Sequence, residues 1–113
     1  MIERCRHRSD FRRVDDEGRR RSGRYIWVRG VVDESLRAPR VAFAIGRRNG
    51  NAVTRNRIRR RLRAALSARS AAIAPGIYLI GWRSSGSQEP DFPELLEDVD
   101  QTFAALSTPA RRG

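Results

Sequence analysis

No lysine occurs in this chain: all 24 of its basic side chains are arginines, set against 13 acids and a single histidine. Genome composition produces such a bias as readily as selection, so the lack of lysine carries no chemistry by itself. Its physical effect is that every positive group is a planar guanidinium, able to grip phosphate with two N–H donors or to stack on a base. The one cysteine, Cys5, excludes a disulfide framework within the chain, and Cys5 with His7 is too small a set of ligands for zinc. A reducing compartment is therefore expected. No apolar run has the length of a membrane span or a signal-peptide core, and Met1-Ile2-Glu3-Arg4-Cys5-Arg6-His7-Arg8 has no hydrophobic stretch behind it. The expectation is a soluble cytoplasmic protein with no membrane partner. No Ser/His/Asp set stands out around the single histidine, and the acids Asp15-Asp16-Glu17 would point in different directions on a helix, with no partner cluster to complete a metal site. The residues thus show no nucleophilic set and no metal-ligand cluster, and no bound cofactor or small-molecule substrate is expected.

The most informative absence is local. Between Glu34 and Glu89 there is no acid, while the same stretch carries twelve arginines; the first 34 residues hold ten arginines against seven acids, and residues 89–113 hold two against six. The net charge of +11 therefore resides in the middle of the chain. An acid-free, arginine-dense segment is suited to a polyanion, of which nucleic acid is the usual one. At 113 residues the chain can bury one modest core. It reads as a single domain over residues 1–107 with a flexible tail over 108–113.

Residue patterning predicts the order helix, two strands, helix, strand, helix, an α+β arrangement in which the first strand region is open to a split. Ser9-Asp10 opens a short helix carrying Phe11 and Val14 on one face, ending near Gly18. Gly18 to Gly23 is a basic loop bounded by glycines. Tyr25 to Val32 is a strand, Asp33-Glu34-Ser35 and Ala38-Pro39 form the turn, and Arg40 to Gly46 is a second strand, antiparallel to the first if that turn is short. Asn51 caps a helix whose Thr54, Ile58, Leu62, Ala65, Leu66 and Ile73 share a face, with Asn56, Arg59, Arg60 and Arg63 opposite. Pro75-Gly76 stops it, and Ile77 to Trp82 is apolar enough for a strand covered on both faces. Ser84 to Gln88 is a loop. Asp91-Phe92-Pro93-Glu94 is a capping box ahead of a final helix with Leu95, Leu96, Val99, Phe103 and Leu106 as its core stripe.

The segment GNAVTRNRIRRRLR, Gly50 to Arg63, resembles the signature of the bacterial ribonuclease P protein component, in which a GNAVxRNRIKR-type run forms an arginine-rich central helix. The resemblance spans nearly the whole chain: the Phe11 helix, the Pro39-Arg40-Val41-Ala42-Phe43 strand leading to Arg47-Arg48, the Tyr78 to Arg83 strand and the closing Leu-rich helix follow in the family's order. It implies a two-layer α/β sandwich whose central helix joins two parallel strands by a left-handed crossover, whereas about 98% of such connections are right-handed. It also implies the family's task of assisting a catalytic RNA that removes the 5′ leader of precursor tRNA, with Mg²⁺ on the RNA subunit and no catalytic side chain on the protein. Matched to the motif, Arg55, Asn56, Arg57, Arg59, Arg60 and Arg63 would contact the catalytic RNA. Phe11, Trp27, Arg29 and Arg48 would line a cleft for the single-stranded leader, floored by the small Ala42 and Ala44. The chain departs from the family's pattern at Asp15, where many members carry an aromatic, at Arg29, where many carry Tyr, and at Arg61, where an apolar residue is common.

Two other classes use similar ingredients. A ribosomal or other structural RNA-binding protein would show long basic extensions, whereas residues 89–113 are net acidic. A DNA-binding module would set a second helix one tight turn ahead of the basic one, whereas strands flank it here. Phe11 and Trp27 suit either packing or RNA stacking, and Trp82 suits the core.

Overall fold

The computed structural model describes residues 2–83 and 89–107; the Ser84 to Gln88 loop and the tail over 108–113 lie outside them. Five strands and three helices follow in the order β1 (Glu3–Arg4), α1 (Arg8–Glu17), β2 (Arg19–Ser22), β3 (Ile26–Val32), β4 (Arg40–Ala44), α2 (Ala52–Ala68), β5 (Gly76–Trp82) and α3 (Phe92–Ser107). Single 3-10 turns at Arg47–Asn49 and Ser70–Ala72 flank α2. The sheet runs β1-β4-β5-β3-β2.

β5 takes the centre because it is apolar on both sides. It pairs antiparallel with β3, Val28 opposite Ile80, and parallel with β4, Phe43 opposite Ile80. The expected direct pairing of the two strands before α2 is thereby corrected: β3 and β4 are separated by β5. Placed at an edge, Ile77 to Trp82 would leave apolar surface in water. The chain turns at Asp33, whose carboxylate accepts from the Ser35 N–H at 3.0 Å and the Ser35 hydroxyl at 2.6 Å. It then crosses to the far side of the sheet, where β4–α2–β5 forms the parallel βαβ unit.

Strand alternation sorts the side chains into two layers of packing. Ile26, Val28, Val41, Ile45, Tyr78, Ile80 and Trp82 meet Ile58, Leu62 and Leu66 of α2 and Leu95, Val99, Phe103 and Leu106 of α3 in the main core. Trp82 is thus a core residue, as its sequence context suggests. On the other face α1 packs Val14 with Cys5 and Ile77, next to Ala42 and Leu79.

Three local expectations are corrected. α1 starts at Arg8 behind an extended His7, so Ser9 and Asp10 lie inside its first turn. The basic segment after Gly18 is a strand, β2, held antiparallel to β3 with Ser22 opposite Trp27. α2 ends at Ala68, and Ile73 reaches the core from beyond the Ser70–Ala72 turn. The acids Asp15, Asp16 and Glu17 are exposed in the last turn of α1.

The β2–β3 hairpin is pinned from α3. Buried Asp98 accepts the backbone N–H groups of Arg24 at 2.7 Å, Tyr25 at 2.8 Å and Ile26 at 3.0 Å. Among the described residues, no helix is long and apolar enough to cross a membrane.

Candidate nucleic-acid interface

α2 is fixed at its start by two neighbouring residues. Gly50 has φ +123°, a conformation that side chains disfavour. Asn51 caps the helix, its side-chain oxygen accepting from the Thr54 N–H at 2.9 Å. From there Ile58, Leu62, Ala65 and Leu66 turn inward and are buried, so the intervening positions must face out.

Those outward positions are not equivalent. Asn56, Arg60 and Arg63 are exposed. Arg59 is braced: it donates to the Asn56 side-chain oxygen at 3.0 Å and to the Ile45 carbonyl at 3.1 Å, tying the helix to the end of β4. Arg63 lies over the Phe43 ring, 5.5 Å from its centroid. Arg55 is half-buried near the helix start, with a buried Nε that has no hydrogen-bond partner. Arg57 differs from the others. It pairs with Glu89 at 2.5 Å, and Arg61 joins the same carboxylate at 3.2 Å while also donating to the Pro90 carbonyl. The run into α3 thus neutralises one flank of α2. Among the described residues, no carboxylate lies within ion-pair distance of Arg55, Arg59, Arg60 or Arg63.

The residues expected around the leader are only partly gathered. Trp27 and Arg48 line one hollow of about 630 Å³ at the end of the sheet, together with Ala44, Arg20, Asn49 and Arg83. Asn49 shapes its rim by donating to the Trp82 carbonyl at 3.2 Å and accepting from the Gly46 N–H at 3.2 Å. Phe11 is 41% exposed on α1 and is not part of that wall. Arg29 stands two residues along β3 from Trp27, and its guanidinium donates to the Asp15 carbonyl at 2.8 Å, closing the last turn of α1.

Arg20 and Arg83 are the members that sequence reasoning missed. The Arg20 guanidinium sits 4.6 Å from the centroid of the Trp27 ring, close enough for a cation–π contact. Pairing Gly18–Ser22 with the strand after Gly23 would have revealed Arg20, because alternation then places Arg20 and Ser22 on the face of Trp27. The hollow carries three arginines, the indoles of Trp27 and Trp82 and the Phe43 ring, with no acid among its lining residues.

Fold and site together define a small arginine-rich α+β protein that presents a cationic helix face beside an aromatic hollow. The ribonuclease P family model matches residues 2–107, and the chain belongs to that family. It is 38% identical over 105 residues to the ribonuclease P protein component of Acidothermus cellulolyticus, covering 92% of this chain and 88% of that one. With the ribonuclease P protein component of Symbiobacterium thermophilum it shares 32% identity over 110 residues, covering 97% and 96%. The fold is that of the RNase P protein from Thermotoga maritima, with a TM-score of 0.79 at 23% identity over 94% of this chain and 99% of the other.

Proposed function

We propose that this chain is the protein subunit of a bacterial ribonuclease P, binding the catalytic RNA through the outer face of α2 and the single-stranded 5′ leader of precursor tRNA in the Trp27 hollow. The observation that carries the reading is the exposed set Asn56, Arg60 and Arg63 on α2, outward and with no carboxylate partner among the described residues, within a chain whose relatives are ribonuclease P protein components. Guanidinium groups there neutralise phosphates, and Asn56 both donates to and accepts from a nucleotide. In the hollow, Trp27 offers a ring for a base while Arg48, Arg20 and Arg83 offset backbone charge, the usual arrangement for an unpaired strand. Phe11 and Arg29 extend this surface towards α1.

In this reading the RNA, with its magnesium, performs the hydrolysis, and the protein contributes affinity and placement. The chain thus belongs to an endoribonuclease without supplying a reacting side chain. Adding the protein to a bacterial RNase P RNA at low magnesium is expected to raise cleavage of leader-bearing precursor tRNA. No stimulation at any salt concentration would overturn the proposal.

A further inference from the structure

The β4 edge of the sheet carries a second recess, which shares Phe43 with the Trp27 hollow. β1 is two residues long and pairs only with Arg40 and Val41, so the outer edge of β4 is uncovered from Phe43 onward. The ladder fixes which groups point there. The Cys5 N–H donates to the Val41 carbonyl at 2.9 Å, and in a parallel ladder residues of the same parity turn both N–H and C=O to the same side. Phe43 and Ile45 follow Val41 in that parity. The Ile45 carbonyl is taken by Arg59, which leaves the Phe43 backbone pair facing the recess beyond the end of β1.

The recess measures about 340 Å³ and is lined by Phe43, Ile2 and Leu66 as apolar walls and by Arg4, Arg59 and Arg63 at the rim. Glu3 also borders it, but its carboxylate faces Arg40 at 3.7 Å. An aromatic ring, an adjacent backbone donor and acceptor with no hydrogen-bond partner among the described residues, and surrounding guanidinium groups are together what an unstacked nucleobase requires: a face to stack on, an edge to hydrogen-bond and a phosphate partner.

The geometry points to a single-nucleotide site on the β4 edge, in which one unpaired base of the catalytic RNA stacks on Phe43. The base takes the place of Arg63 on the ring, its edge meets the Phe43 N–H and C=O, and the freed guanidinium pairs with that nucleotide's phosphate. The site rests on the proposed docking through α2, with which it is continuous through Arg59 and Arg63. It deepens that reading by adding a stacked base to the phosphate contacts of the arginines and the hydrogen bonds of Asn56.

Two measurements on the full chain with a bacterial RNase P RNA test it. Probing of unpaired bases, with dimethyl sulfate for adenine and cytosine and a carbodiimide for uracil and guanine, is expected to show one base protected by wild-type protein and reactive again with Phe43→Leu. In equilibrium binding, Phe43→Leu is expected to weaken affinity about tenfold with the salt slope unchanged, since no phosphate contact is removed, while Phe43→Tyr keeps the ring and the affinity. The wild-type protection stands whether or not Phe43→Leu folds, as judged by its melting curve. Absence of any protected unpaired base, or equal affinity of the wild type and a folded Phe43→Leu, would overturn the inference while leaving α2 docking intact. Failure of the wild-type protein to bind the RNA at all would overturn both.

Discussion

The indole of Trp27 lies across Gly81, its partner on the neighbouring strand, so closely that a methyl group at position 81 would fall 2.1 Å from Cε2 of the ring. Glycine is required there because the ring uses the space directly above the β5 backbone, and Arg20 covers it from the outside. Gly81→Ala is therefore expected to lift the indole out of its seat, costing about 1–3 kcal/mol of stability from overpacking and changing the tryptophan emission. If the spectrum and the melting temperature stay unchanged, the ring is not held in this way.

Trp27→Ala separates the two surfaces. It should weaken the preference for precursor over mature tRNA by about tenfold, the scale of one base–aromatic stack, with the affinity for the catalytic RNA unchanged. Competition binding with the two tRNA forms measures this. Equal loss in both assays would show that the faces are wrongly assigned.

Glu89 neutralises Arg57 and Arg61. Exposed pairs of this kind contribute about 0–1 kcal/mol to stability, so Glu89→Gln should leave the melting temperature nearly unaltered. Catalytic-RNA affinity should rise several-fold, because two guanidinium groups and one fewer negative charge then face the polyanion. Unchanged or weaker binding in a titration would remove Glu89 from the account.

Asp98 serves a structural purpose. Asp98→Ala leaves three N–H groups of the β2–β3 hairpin without their charged acceptor, and a loss of about 2–4 kcal/mol is expected from the scale of such bonds. Denaturant unfolding measures it. The hollow should suffer as well, since the same hairpin carries Arg20 and Trp27.

Alkaline pH should loosen the core. Burial, with the Asp10 charge adding to it, pushes the Cys5 thiol up to about 11, and burial pushes the Tyr78 phenol up to about 12. Both pKa values are raised in the folded state, so the stabilisation is complete below the ordinary values near 9 and 10 and is lost as pH climbs through 11 to 12. Thermal melts between pH 8 and 11 should show the decline beginning above pH 9, and Cys5 should resist thiol reagents at pH 8 until the protein unfolds. Rapid labelling of the native protein at that pH would contradict the burial of Cys5.

The elements legible from the sequence are those whose signal is local. Asn51 announces its helix because the cap is a contact over three residues. Asp91 and Glu94 form the reciprocal capping box expected of them, at 2.9 and 3.0 Å. The period of Ile58, Leu62 and Leu66 marks the buried side of α2 and hence the arginines opposite. What escaped notice depends on distant partners. β2 is nearly all arginine and has no strand propensity to show; β3 makes it a strand. The central place of β5 is settled by burial on both faces, which says that it is interior without saying between which neighbours. The partnership of Glu89 with Arg57 spans 32 residues and depends on how α3 approaches α2, which no local pattern encodes.

The salt dependence of catalytic-RNA binding tests the central claim most directly. Each phosphate neutralised by an arginine releases counterions, so the logarithm of the binding constant falls linearly with the logarithm of salt concentration. With the double variant Arg60→Ala, Arg63→Ala, the slope is expected to become shallower by about two, roughly one per phosphate contact, together with a marked loss of affinity at low salt and an unaltered melting temperature. A folded double variant that binds with wild-type affinity and wild-type slope would contradict the account, because the outer face of α2 would then not be where the RNA docks.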